Sequence, residues 1–155
     1  MIFSRSKSCC RAIGNKIYII GGCSYETFEF HPSLKHPGLL CIDLDNRSFQ
    51  NLDSISGGLV PDCRYGSVLL AIDNSTLLMI GGRGATESFA DCHLYDIKTN
   101  TWTKIELNSV NDGKLSGKTF VSACLHENFV YLHGTKKGIH LKSSLQKISS
   151  LQSHV

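Results

Sequence analysis

An internal repeat constrains this chain more than any other feature. Ile17-Tyr18-Ile19-Ile20-Gly21-Gly22 recurs as Leu77-Leu78-Met79-Ile80-Gly81-Gly82, and more loosely as Phe129-Val130-Tyr131-Leu132-His133-Gly134. The flanks repeat with it. Arg5 precedes Gly21 by 16 residues and Arg64 precedes Gly81 by 17, and each arginine is followed three places on by a serine, Ser8 or Ser67. After each glycine pair comes an apolar run ending near an aspartate, Asp43 or Asp96, and six residues beyond it an aromatic, Phe49 or Trp102. One order of features at one spacing, met twice and echoed a third time, describes a structural unit stacked on copies of itself.

The chemistry of the unit is that of a four-stranded antiparallel sheet. Residues 8–13 and 17–20 are short β-branched or apolar runs joined by the turn sequence Gly14-Asn15-Lys16. Asp45-Asn46-Arg47 and Lys98-Thr99-Asn100 supply the turn between each aspartate and its aromatic. The glycine pairs Gly21-Gly22 and Gly81-Gly82 end an apolar strand where a neighbouring backbone comes too close for a side chain. Only 141–151 carries an apolar spacing suited to a helix, so a helical bundle is excluded.

The series Arg-x-x-Ser, apolar strand, Gly-Gly, then Asp followed six residues on by Trp resembles the kelch repeat of β-propellers, in which each unit of about 50 residues forms one four-stranded blade. The resemblance implies an all-β fold: a fragment of a kelch-type propeller with about three antiparallel blades. The units fall at 1–57, 58–110 and 111–134, followed by a basic tail at 135–155. The second unit, with Gly81, Gly82, Asp96 and Trp102, is closest to the pattern; the first has Phe49 in the tryptophan's place, expected to pack against the neighbouring blade. The third is incomplete, with His133-Gly134 for its glycine pair and no Asp or Trp after it. Arg5 and Arg64 are read as structural, bonding the loops of adjacent blades. Three units fall short of the four to eight of a closed propeller. The chain is therefore expected to be a piece of a larger propeller, in preference to a half-propeller completed by another chain.

Composition narrows the function classes. Sixteen Lys and Arg against 13 Asp and Glu leave a formal charge of only +3, without the strong basic excess of a nucleic-acid binder. The apolar runs fall well short of the roughly 20 residues of a membrane span, and Met1 to Lys7 lack the apolar core of a signal peptide. Seven cysteines with no Cys-x-x-Cys spacing read as free thiols in a reducing compartment, the cytoplasm or the nucleus. Cys41, Cys92 and Cys124 fall in apolar runs and read as small buried hydrophobes. His31 and His36 share a loop, but no third ligand stands near them in sequence, so no metal site is expected. Neither a phosphate loop nor a nucleophile–base spacing appears, so no catalytic residue and no cofactor is assigned.

The first unit carries a long insertion, residues 23–37, in which Tyr25, Phe28 and Phe30 alternate with polar residues. Loops of such length are usually functional or disordered. This unit, with Thr27-Phe28-Glu29-Phe30, His36-Pro37 and the Asp43 strand, resembles the kelch-domain substrate receptors of cullin-2 ubiquitin ligases, which hold the C-terminus of a client chain in the propeller mouth. The resemblance implies a ligand-binding role for Arg83, directly after the second glycine pair. It places Ser88 where the family has a second arginine, and Thr119 where it has a serine. Lys118, Lys136 and Lys137 would add long-range attraction for an acidic chain end. The ligase-binding box that follows the blades in that family is not visible after Lys142.

The implied function is a non-enzymatic protein–protein interaction module, a substrate receptor of a cullin-RING ligase or a truncated relative, with a protein or peptide as its ligand. The alternative is the non-catalytic kelch portion of an enzyme, as in the carboxylmethyltransferase-like proteins that modify transfer RNA.

Overall fold

The computed structural model describes residues 5–23, 38–53, 55–106, 108–109, 120–127, 129–134 and 140–144. Among these all regular structure is β. The first sheet holds β1 (Cys9–Ile13), β2 (Lys16–Ile20), β3 (Leu40–Asp43) and β4 (Ser48–Asn51) in sequence order. A two-residue strand, β5 (Gly57–Gly58), leads to the second sheet: β6 (Val68–Ala71), β7 (Thr76–Arg83), β8 (Ser88–Asp96) and β9 (Thr101–Ile105). A second short strand, β10 (Asn108–Ser109), precedes the third sheet: β11 (Phe120–His126), β12 (Phe129–Gly134) and β13 (His140–Ser144).

The repeated aspartates are turn residues. Asp43 Oδ1 accepts the amides of Asp45 and Asn46, both at 3.0 Å, and Asp96 Oδ1 accepts those of Lys98 at 2.8 Å and Thr99 at 2.9 Å. These are Asx turns, with the side chain standing in for a backbone carbonyl. Arg47 and Asn100 then take the left-handed conformation that completes each tip, at φ 49° and 54°. The Asn46 amide, chief among its bonds, holds the Asp43 carboxyl below its ordinary range. Spacing follows from the turn: register pairs Ile42 with Phe49 and Tyr95 with Trp102.

β1 lies against β6 and β6 against β11, so the three sheets fan out from their first strands as propeller blades do. The second sheet is covered on both faces, which is why residues 77–80 form an unbroken apolar run instead of alternating with polar residues. On one face Leu69, Leu77, Met79, Tyr95 and Trp102 meet Tyr18, Ile20, Leu39 and Cys41 of the first sheet. On the other, Val68, Leu70, Leu78, Ile80 and Leu94 meet Val130 and Leu132 of the third. The period-two alternation of side chains sorts neighbours in sequence to opposite interfaces. Gly21 shows why the junction needs glycine. It sits at φ +72°, and a Cβ there would stand 2.5 Å from the Arg64 carbonyl oxygen, which accepts the Gly22 amide at 3.0 Å.

The short strands tie one unit to the next. β5 follows the first sheet, reaches one residue past the boundary read at 57, and pairs in parallel with β9, the outer strand of the second sheet. β10 comes from the second unit and pairs with β13, taking the fourth place in the third sheet.

Four readings of the sequence are corrected. Phe49 is 59% exposed and does not pack against a neighbouring blade. It shares a face with Ile42 and Ile17, and that face points away from the second sheet. Phe49→Ser should therefore shift stability by no more than about 0.5 kcal/mol, read from the urea midpoint. Second, β13 lies inside the stretch set apart as a basic tail and inside the 141–151 helix candidate, so the third sheet continues past residue 134. Third, the third unit is one place out of step with the sequence match. Its turn pairs His126 with Phe129 as Ile13 pairs with Lys16, so Val130 and Leu132 stand where Leu77 and Met79 do. Gly134 then matches the first glycine of each pair, and His133 precedes the pair's position. Finally, Cys124 is exposed, because β11 turns Ala123 and Leu125 inward instead.

The cysteines form no disulfide among themselves. Burial pushes the Cys92 thiol up to about 12 and those of Cys9 and Cys63 up to about 11. At pH 8 an alkylating reagent should modify the exposed Cys10 and Cys124 first, and Cys92 about a hundredfold more slowly, because Cys92 needs both opening and deprotonation. Labelling of Cys92 at the rate of Cys10, read by peptide mass spectrometry, would mean that the interface of the second and third sheets does not form.

Candidate functional site

The site is built on a buried arginine. Arg64 is 1% exposed. Its Nε donates to the Asp62 carbonyl at 3.0 Å and its Nη1 to the Gly81 carbonyl at 3.1 Å. Both terminal nitrogens reach Asp91, Nη1 to Oδ1 and Nη2 to Oδ2 at 3.1 Å, and the guanidinium stacks 3.9 Å above the Phe89 ring. A planar fork satisfied on every side fixes the end of β7 and the start of β8. Arg5 serves the first sheet in the same way, donating to the carbonyls of Gly21 at 3.4 Å and Gly38 at 2.5 Å. Both side chains brace their own sheets, a correction to their reading as links between blades. At this junction the blades are linked by the main chain, Arg64 carbonyl to Gly22 amide, and by the Arg11 Nε, which donates to the Leu69 carbonyl at 3.2 Å.

Beyond this brace β7 runs out to Arg83. The Gly84 amide donates to the Glu87 carbonyl at 2.8 Å, closing a tight hairpin that sets Arg83 directly across from Ser88. Arg83 also exchanges two backbone bonds with Tyr65, Arg83 amide to Tyr65 carbonyl at 2.8 Å and Tyr65 amide to Arg83 carbonyl at 3.0 Å. Arg83 is exposed and Ser88 half-buried. Lys7 arrives from the first unit, its Nζ 5.0 Å from the centre of the Tyr65 ring, its carbonyl accepting the Gly66 amide at 3.0 Å. Two cations and a phenol thus gather where the first two sheets meet at the ends of their inner strands. Such a cluster suits an anion or a carbonyl-rich chain end.

Arg83 and Ser88 therefore share one hairpin. Thr119 lies outside the described residues, as do Lys118, Lys136, Lys137, His31, His36 and the insertion aromatics Tyr25, Phe28 and Phe30. Lys7 and Tyr65 were not singled out from the sequence. A signal existed for Lys7. Aligning the two Arg-x-x-Ser segments sets it against Gly66, and both residues are left-handed, at φ 58° and 62°. A lysine in a conformation that favours glycine marks a place worth inspecting. Among the described residues no three His, Cys, Asp or Glu side chains gather as metal ligands would.

Comparison with known proteins agrees with this architecture. The model of the KLHDC2/KLHL20/DRC7 Kelch-repeats domain matches residues 3–151. Kelch domain-containing protein 3 of Homo sapiens is 27% identical over 131 residues, covering 79% of this chain and 32% of that protein. Its counterpart in Rattus norvegicus is 26% identical over the same length and coverage. The chain spans about a third of the length of these curated relatives. With the blade topology, the paired glycines and a family match over nearly the whole length, this chain belongs to the kelch-repeat family of the KLHDC2/KLHL20/DRC7 type.

Proposed function

We propose that this kelch-repeat chain is a protein–protein interaction module whose blade mouth takes the C-terminal carboxylate of a client polypeptide, with Arg83 as the carboxylate partner. In that reading it serves as a substrate receptor of a cullin-RING ubiquitin ligase. The observation that carries the proposal is Arg83 itself. Its guanidinium is exposed, has no ion pair among the described residues, and is held on a hairpin braced by the buried Arg64 and Asp91. An arginine presents two parallel donors to a carboxylate. Ser88, across the hairpin, offers one hydroxyl where a second arginine would offer a charge, which sets binding in the micromolar range and below that of a two-arginine pocket. Lys7 adds positive potential at the same end.

The test is a fluorescent peptide ending in Gly-Gly, compared with its C-terminal amide, against the wild-type chain and Arg83→Ala. Amidation and the substitution should each weaken binding about 10- to 150-fold, the equivalent of one charged hydrogen bond of about 1.5–3 kcal/mol. Equal binding of acid and amide, or an Arg83→Ala variant that binds as well as wild type, overturns the proposal. The general interaction role would then stand without this ligand.

A further inference from the structure

The hairpin that carries Arg83 hangs on a break in its own ladder. β7 and β8 pair in register up to Ile80 with Cys92 and resume at Gly82 with Phe89. Gly81 alone therefore faces Ala90 and Asp91, a bulge at which the main-chain ladder is interrupted. Arg64 spans the break. It donates to the Gly81 carbonyl on one strand and to both carboxylate oxygens of Asp91 on the other, and it stacks on Phe89 just beyond. The arm past the bulge is also tied by the paired bonds of Arg83 with Tyr65, which follows Arg64 directly in the chain. Both ties run through the Arg64 segment, so the bulge is a hinge and Arg64 is its clamp.

A titratable group stands beside this clamp and takes no part in it. His93 is 4% exposed, and its Nδ1 has no hydrogen-bond partner among the described residues. That nitrogen lies 3.8 Å from Asp91 Oδ2, the oxygen that accepts Arg64 Nη2 at 3.1 Å. Residues 91 and 93 are two apart on one strand and so share a face. Burial is the largest influence on the imidazole and holds it below its ordinary 6.5, hence neutral near pH 7. Four charged groups act on it besides. Asp91 and Asp62 favour the imidazolium; Arg64, and Lys104 across on β9, oppose it.

We propose that Arg64, Asp91 and His93 form a proton-operated catch on the hairpin that presents Arg83. With His93 neutral, Asp91 belongs to Arg64 and the bulge is clamped. A proton on Nδ1 makes the imidazole a second claimant for Asp91 Oδ2 and sets a second buried cation beside Arg64. Opening at the bulge relieves this by bringing His93 to water. Linkage gives the sign. In the open arm the imidazole titrates near its ordinary 6.5, and in the closed arm lower. Opening is therefore favoured about tenfold per pH unit below 6.5, until the closed imidazole itself takes the proton. The presentation of Arg83 thus becomes pH-dependent, whatever ligand it takes; the inference does not rest on the carboxylate proposed for it.

The experiment is hydrogen exchange of the full chain between pH 7.5 and 5.5, corrected for the intrinsic pH dependence of amide exchange. Protection of the Arg83 and Gly84 amides should be level down to about pH 6.5 and then fall by up to about tenfold at pH 5.5. Amides of β4, which open without exposing His93, should keep theirs. His93→Gln should hold the hairpin amides level over the whole range. Should that variant not fold, His93→Phe, apolar in an apolar interface, asks the same question. Level hairpin protection in the wild type, or a fall that the His93 variant retains, overturns the proposal. Asp91→Asn tests the clamp separately. An amide cannot replace the carboxylate in both bonds to Arg64, so the hairpin amides should exchange at least about tenfold faster already at pH 7.5. Hairpin protection equal to the wild type in that variant overturns the proposal as well.

Discussion

Trp102→Ala should destabilise the chain by about 3–5 kcal/mol, the usual cost of removing a fully buried large aromatic. Against a total of roughly 5–15 kcal/mol for a domain, that is about a fifth of the stability or more. The indole is 1% exposed, lies 4.8 Å from the Tyr95 ring centre and meets His93 edge-on at 6.4 Å. It fills the outer part of the interface between the first two sheets, and neither sheet can close the gap without moving its backbone. With a urea m-value of about 2 kcal/mol per molar, the midpoint should fall by about 2 M. Trp102→Phe should cost only about 1–2 kcal/mol, partly because the buried Nε1 has no hydrogen-bond partner among the described residues to lose. An alanine variant that melts with the wild type would mean that the first two sheets do not pack together.

Arg64→Ala should be similarly severe, about 3–5 kcal/mol, through a different cause. The substitution leaves Asp91 without its bidentate partner and the Gly81 carbonyl without a donor. Because the Arg64 side chain is fully buried, added salt should change the loss little. Arg64→Met with Asp91→Leu should recover much of it, since a buried pair replaced whole by apolar groups is often near neutral. The pH dependence carries a sign. Burial, the largest influence, holds the His93 imidazole below its ordinary 6.5, and Arg64 depresses it further while Asp91 raises it. A group so depressed costs stability as pH falls below about 6.5, where the unfolded imidazole takes up a proton that the folded one refuses. Without Arg64 the folded imidazole binds its proton more readily, with Asp91 Oδ2 at 3.8 Å from Nδ1. The gap between variant and wild type should therefore narrow on acidification. A gap that widens between pH 7 and 5.5, followed by chemical denaturation, contradicts this account.

What could be read in advance was local. The turn triplets, the aspartates that close them and the glycines at strand ends act over a few residues, and the repeat displays each of them twice. Orientation relative to a neighbouring sheet is not local. Phe49 and Trp102 hold the same place in their units, yet one is exposed and the other buried, because among the described residues only Trp102 has a sheet in front of it. In the third unit the likeness of His133-Gly134 to a glycine pair puts the repeat out of step by one, because register is set by turn length, and a single-residue shift exchanges the faces of every side chain. At the candidate site the Arg83–Ser88 hairpin followed from proximity in the chain. Lys7 reaches Tyr65 only through the packing of two sheets, a contact no spacing rule encodes.

The order in which the linking strands are supplied bears on how the chain emerges from the ribosome. β5 is made before the β9 it covers, and β10 before the β13 it pairs with. In both cases the covering segment has left the exit tunnel before the strand that needs it. The second and third sheets thus find their hydrogen-bonding rims already provided for, and the interval in which either nascent rim could seize a neighbouring polypeptide is short. Synthesis in the opposite direction, from the same residues, would leave each rim waiting for its cover.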